Sequence, residues 1–179
     1  MRKHLFVPSK ADYVRGKRPE VDCILCAIVA HDERVVDSGV YSTALMTIAL
    51  NLYPYNPGHL MIFPNRHIED FLELSPEEVR EVHHLTILSI KVLEKLYHPQ
   101  GFNIGYNLGE SAGASIKHLH QHVVPRYKNE LGFVDILSGA KIFVADPIEV
   151  MKKLKEGFQQ EEQTNIIEEQ YHNNDLKRK

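Results

Sequence analysis

At 179 residues, with 43% hydrophobic and 25% charged side chains, the chain has the composition of an ordinary globular domain and enough length to bury a core. No run approaches the roughly 18 apolar residues that span a bilayer, and a net charge of -3 gives no bulk attraction to nucleic acid or anionic lipid. A membrane location and a nucleic-acid polymer as substrate are therefore disfavoured, and any phosphate bound here has to be held by local geometry.

The beginning, Met1-Arg2-Lys3-His4-Leu5-Phe6, is basic but leads into no apolar stretch and no small-residue cleavage site. It reads as lacking an export signal, which gives a soluble, cytoplasmic protein. The two cysteines form one pair, Cys23-Ile-Leu-Cys26, which in a reducing compartment is a metal or redox motif rather than a structural disulfide.

Residues 23–30 and 40–50 are rich in β-branched and apolar side chains and read as strands, with a turn at Asp37-Ser38-Gly39 between them. Tyr53-Pro54-Tyr55-Asn56-Pro57-Gly58 is a loop feeding a short buried strand, Leu60-Met61-Ile62-Phe63. Ser75-Pro76-Glu77-Glu78 has the grammar of a capping box, with proline at the first helical position. Val79, Val82, Thr86, Ile90, Leu93 and Leu96 then supply an apolar stripe, so a helix is expected from Pro76 to about Tyr97.

Phe102 to Asn107 is a further strand, followed by the small-residue loop Gly109 to Ser115, whose backbone can approach a ligand closely. Asp146-Pro147-Ile148-Glu149 starts a second helix with Val150, Met151, Leu154 and Phe158 as its apolar face. One domain is expected over 1–158, with its core at about 20–155. The polar stretch 159–179, ending Lys177-Arg178-Lys179, is expected to be an exposed helix or disordered tail.

The chemistry centres on His118-Leu119-His120-Gln121-His122-Val123-Val124-Pro125. Histidines at i, i+2 and i+4 of a strand project from one face, so three imidazoles are expected to converge. Neutral imidazole is a nucleophile near neutral pH, and the nitrogen that attacks is fixed by the hydrogen bond the other one donates. The Gly113-Ala114-Ser115 backbone is a candidate source of N–H donors for a phosphoryl oxygen, and no carboxylate cluster for a catalytic metal is evident.

His118 to Val124 resembles the signature of the histidine triad (HIT) family, His-x-His-x-His followed by two apolar residues. The resemblance runs from about residue 20 to 155 and includes Asn51 seven residues before Gly58 and Asn107 eleven before His118. It implies an α+β fold, a mainly antiparallel sheet with one long helix and a C-terminal helix, in a homodimer. It further implies that His120 forms a covalent nucleotidyl intermediate and that His122 and Asn107 contact the phosphate. By the same resemblance Asn51 lies at the ribose hydroxyls and Ser115 near the leaving group, with Gly113 and Ala114 between.

The runs from Leu50 to His59 and from Asn107 to Ser115 look most like bacterial diadenosine tetraphosphate phosphorylases, and Leu5 to Val14 echoes the same branch. Fragile-histidine-triad hydrolases carry glutamine where Ala114 stands. The phosphorylases carry glycine there, and tryptophan at Tyr127, so the acceptor is left open between phosphate and water. A Hint-like phosphoramidate or adenylyl-adduct hydrolase, and a non-catalytic nucleotide-binding or zinc-scaffold protein, are the alternatives.

Several bacterial triad proteins hold structural zinc through a Cys-x-x-Cys pair, the histidine after a Pro-x-Arg turn and the first triad histidine. The resemblance carries this set onto Cys23, Cys26, His67 and His118. Four protein ligands would close the site, leaving zinc to steady the His118 segment rather than to activate water.

Overall fold

The structure, a computed structural model, describes residues 19–128 and 146–176, with side chains to 165. The Leu5 to Val14 resemblance and the closing Lys177-Arg178-Lys179 lie outside these residues. Helix α1 spans Ile24–Val29, strands β1 and β2 span Gly39–Ser42 and Met46–Leu50, and β3 spans Leu60–Pro64. Helix α2 is Pro76–Tyr97, β4 is Gly101–Tyr106, β5 is Gln121–Arg126 and α3 is Pro147–Leu176. The five strands form an antiparallel sheet in the order β1-β2-β3-β5-β4.

Both faces of the central strands are covered, which is why β2 and β3 read as continuous apolar runs rather than alternating ones. Met46, Ile48, Leu50, Leu60, Ile62 and Val123 pack with Val82, Leu85, Leu88, Val92 and Leu93 of α2. On the other face Ala49, Met61 and Phe63 meet Leu25, Ala27 and Ile28 of α1. Because β5 side chains alternate, Gln121 and Val123 join the α2 layer while His122 emerges on the opposite face.

Residues 23–30 are not a strand. Cys23 is the N-cap of α1, its backbone extended (φ -143, ψ 121) and its Sγ accepting the Cys26 N–H. Along a strand, residues three apart would lie about 10 Å from each other on opposite faces, so the sulfurs could not share one ion. One helical turn brings them together. The stretch 40–50 also divides into two strands, with the Thr43 hydroxyl accepting the N–H groups of Leu45 and Met46 at the reversal.

Helix α2 carries its capping box as expected, with Ser75 Oγ accepting from Glu78 N and Glu78 Oε2 accepting from Ser75 N. Its buried stripe is shifted slightly: Val82, Thr86 and Leu93 are buried, but Val79 is exposed and Leu85, Leu88 and Val92 complete the face. The helix ends at His98 in the left-handed conformation. Arg66 donates to both Glu78 oxygens and to the Glu73 carbonyl, clamping the segment that carries His67 to the start of α2.

Helix α3 opens with Asp146 Oδ1 accepting from Ile148 N and buries Leu154 and Phe158 completely, the latter stacked on Tyr41. It continues without a break past Gln159 to Leu176. The carboxylate of Glu161, only 4% exposed, is held by Lys91 and Lys95 of α2. Among the described residues no helix is long and apolar enough to cross a membrane.

Candidate functional site

The three histidines do not form one row. The strand begins only at Gln121, so His118 lies in a bend and His120 in the link that leads into the strand, and the Leu119 N–H is taken by the Ile68 carbonyl. This anchor lets the two histidines serve different sites: His118 turns to the cysteines, and His120 and His122 meet edge to face with ring centroids 4.8 Å apart.

His120 is buried, and its Nδ1 lies 2.7 Å from the His118 carbonyl oxygen. A carbonyl only accepts, so Nδ1 carries the proton and Nε2 keeps its lone pair. Burial holds its pKa below the ordinary 6.5, which keeps the ring neutral.

His122 is set by a relay. The Tyr55 N–H donates to His59 Nδ1 at 3.1 Å, which places the His59 proton on Nε2; that nitrogen donates to His122 Nδ1 at 2.9 Å. His122 therefore carries its own proton on Nε2, 3.4 Å from the Asn107 amide nitrogen. Two donors so close and facing one space are suited to an anionic oxygen shared between them. His59 had no role in the sequence reading. The available signal was its position before β3, two residues from Met61, which pairs with His122 on the same sheet face. Gly58 makes the turn ahead of it, at φ 80, where an added Cβ would lie 3.0 Å from Leu93 Cδ2.

His120 and His122 line a hollow of about 220 Å³ with Asn51, Asn107, Gly113 and Ser115, and its far wall is apolar: Ile24, Leu25, Ile28, Leu50 and Ile116. An apolar slot ending in converging donors fits a ligand with a flat base at one end and phosphate at the other. Asn51 Oδ1 accepts the Tyr53 N–H, which leaves its amide nitrogen with donors to spare. The Gly113 and Ala114 N–H groups are engaged within their own turn, to the Glu110 and Gly109 carbonyls. Of that loop, Gly113 and Ser115 line the hollow, and Ala114 is not among the lining residues.

Behind the hollow, Cys23, Cys26, His67 and His118 offer four ligand atoms all within 4.8 Å of one another, and the cluster could hold a metal ion. Cys23 Sγ to His118 Nδ1 and Cys26 Sγ to His67 Nδ1 are each 3.3 Å, near the roughly 3.6 Å expected between sulfur and nitrogen around a tetrahedral ion. His118 Nε2 donates to the Pro64 carbonyl, which frees Nδ1 as the ligand nitrogen. Burial, with Cys23 adding, pushes the Cys26 thiol up to about 11, so a bound cation has to displace protons to gain its thiolates.

The HIT domain family matches residues 33–129. This chain belongs to the HIT family. Over 99 residues it is 46% identical to an AP-4-A phosphorylase of Mycobacterium tuberculosis (strain H37Rv), a match covering 55% of this chain and 51% of that one. The chain thus spans about half the length of the first curated relatives it matches. It is 31% identical over 112 residues to Protein hit of Bacillus subtilis, covering 63% of this chain and 76% of that one. Among solved structures, a Zn-bound histidine triad family protein from Mycobacterium smegmatis superimposes with a TM-score of 0.66 at 26% identity, covering 80% of this chain and 97% of that one. The antiparallel sheet with its long helix is the HIT-like α+β fold.

The buried HIT imidazoles make stability pH-dependent. Burial, with His122 and His120 adding, pushes His59 down to about 3, and burial, with His120 adding, pushes His122 down to about 4. Both folded values lie below the ordinary 6.5, so the unfolded chain takes up protons first. Stability is full above about pH 6.5 and is lost as the pH falls from there through the folded values. Melting temperatures at constant ionic strength should be level above pH 6.5 and decline below it. His59→Phe should flatten that decline; an unchanged slope would contradict the assignment.

Proposed function

We propose that this HIT chain is a nucleotidyl-transferring enzyme that cleaves dinucleoside polyphosphates of the diadenosine tetraphosphate type, with His120 as nucleophile. The observation that carries the reading is the His120 Nδ1–H bond to the His118 carbonyl, which leaves a neutral Nε2 at the wall of the hollow beside His122 and Asn107. Identity to an AP-4-A phosphorylase supports the substrate class.

In the first step the Nε2 lone pair bonds to phosphorus as the P–O bond to the bridging oxygen breaks, and the electron pair leaves with the polyphosphate. His122 Nε2–H and the Asn107 amide hold the charge on the non-bridging oxygens, and Ser115 lies by the leaving group. In the second step an oxygen of phosphate or water bonds to phosphorus as the P–Nε2 bond breaks, the bonding pair returns to His120, and the acceptor's proton passes to solvent. Asn51 holds the ribose, and Gly113 and Ala114 shape the loop beside the phosphates.

Zinc is the ion we assign to Cys23, Cys26, His67 and His118, as a closed structural site that would supply a rigid anchor for the His118 segment and no open position for water. Cys23 and Cys26 are not joined in a disulfide, which suits a reducing compartment and supports a cytoplasmic location. Strand β4 is a sheet edge with Ile104 exposed, which supports pairing with a second copy in a homodimer.

The test is incubation of the purified protein with diadenosine tetraphosphate, with and without inorganic phosphate, and ion-exchange separation of the products. ADP plus ATP formed only with phosphate means phosphorolysis, and AMP plus ATP in either case means hydrolysis. Turnover of adenosine 5′-phosphoramidate alone would refute the dinucleotide reading in favour of a Hint-like activity.

A further inference from the structure

The apolar wall of the slot is broken by a polar side chain, Ser38. The backbone ties this residue to that wall: the Ser38 carbonyl accepts the Leu50 N–H at 2.8 Å, and a Cβ added at the next residue, Gly39, would lie 3.6 Å from Ile28 Cγ2. Gly39 pairs with Ala49 as β1 begins, so Ser38 is fixed beside Leu50 at the end of the sheet. It lines the slot and is only 1% exposed. No described residue hydrogen-bonds its hydroxyl.

A buried hydroxyl without a partner costs free energy, and the cost is recovered when a ligand supplies one. Ser89 Oγ and the Tyr97 hydroxyl also lack a hydrogen bond among the described residues, but both are closed off in the packed interior. Ser38 borders a hollow that a ligand can enter. With His122 and Asn107 at the phosphate and Asn51 at the ribose, the base is left to the apolar wall, where Ser38 stands between Ile28 and Leu50. We infer that Ser38 is the residue that reads the nucleobase, through a hydrogen bond between its hydroxyl and the polar rim of the base. A hydroxyl both donates and accepts, so it serves an amino or an oxo group alike. The preference it confers is for bases with a polar rim over flat apolar ones. This inference rests on the nucleotide reading above, and it is the same for a dinucleotide and a phosphoramidate, which present the same base.

Ser38→Ala removes the hydroxyl and keeps the backbone contact to Leu50. The unaltered protein and the variant are titrated at equilibrium with adenosine 5′-monophosphate and with the 5′-monophosphate of indole riboside, whose base has the flat shape of a purine and no polar rim. The substitution should weaken the adenine compound about three- to tenfold and leave the indole compound within about twofold. Without ligand the melting temperature should not fall, because no hydrogen bond within the protein is lost. Undiminished affinity for the adenine compound, or equal weakening of both compounds, would overturn the assignment, the latter because Ser38 would then act through the shape of the slot. A lower melting temperature with unchanged affinities would overturn it in favour of a structural hydroxyl. If neither compound binds the unaltered protein, the nucleotide reading itself has failed and Ser38 has no base to contact.

Discussion

His120→Asn is expected to lower turnover of diadenosine tetraphosphate on the order of 10³-fold or more while leaving the melting temperature nearly unchanged. The choice of asparagine follows from the geometry. Its amide nitrogen can stand where Nδ1 stands and keep the His118 carbonyl oxygen satisfied, whereas alanine would orphan an acceptor on a residue only 1% exposed. What asparagine lacks is a nitrogen lone pair at the position of Nε2. The loss should therefore fall on kcat, with nucleotide affinity retained in an equilibrium titration. Retained turnover would refute His120 as nucleophile, and loss of nucleotide binding together with turnover would mean that the substitution disturbed the hollow.

The second large effect concerns the metal cluster. Cys23 has two jobs, capping α1 and offering a ligand sulfur, and Cys23→Ser separates them because serine is itself a good N-cap. Any loss of stability then reports the ion. Purified without chelator, the unaltered protein should carry about one equivalent of zinc, and the variant should carry well under half of that. Losing several kcal/mol of site stabilisation in a chain of this size should lower the melting temperature by about 10 °C. A chelator should produce a similar shift in the unaltered protein and little further shift in the variant. The effect should reach catalysis, since the His118 carbonyl orients His120 and the His118 ring belongs to the cluster. An unaltered protein that melts at the same temperature with and without chelator would contradict a structural ion.

The sequence disclosed different parts of this arrangement to different degrees. Helix α2 was legible at both ends, because Ser75, Pro76 and Glu78 act within one turn of each other and His98-Pro99 stops the helix locally. The cluster residues Cys23, Cys26, His67 and His118 could be named from resemblance, and the structure brings all four together. The strand expected over 23–30 conflicted with that very grouping, since a strand sets residues three apart on opposite faces whereas the turn of α1 brings both sulfurs to one point. Composition misled there: isoleucine and valine serve α1 as well as they would a strand, because α1 buries them against Met61 and Phe63.

The triad shows the limit of periodicity. Spacing of two placed three imidazoles on one face, but the backbone becomes a strand only at Gln121, and a long-range bond from Leu119 to Ile68 turns His118 away from His120. Nothing near His118 in the chain encodes that bond. The relay through His59 was hidden for the same reason: Tyr55, His59 and His122 meet only once β3 and β5 pair. Hydrogen bonds within a turn were equally unreadable, and they commit the Gly113 and Ala114 N–H groups that had looked available for phosphate.

If the nucleotidyl group passes through His120, the stereochemical course at phosphorus records it. A dinucleoside polyphosphate with a stereochemically defined phosphorothioate at the attacked position is turned over with an isotopically labelled oxygen acceptor, and the configuration of the product is determined. Two in-line displacements, at His120 Nε2 and then at the acceptor, predict net retention. Net inversion would mean that the acceptor attacks phosphorus in a single step and would contradict a covalent role for His120.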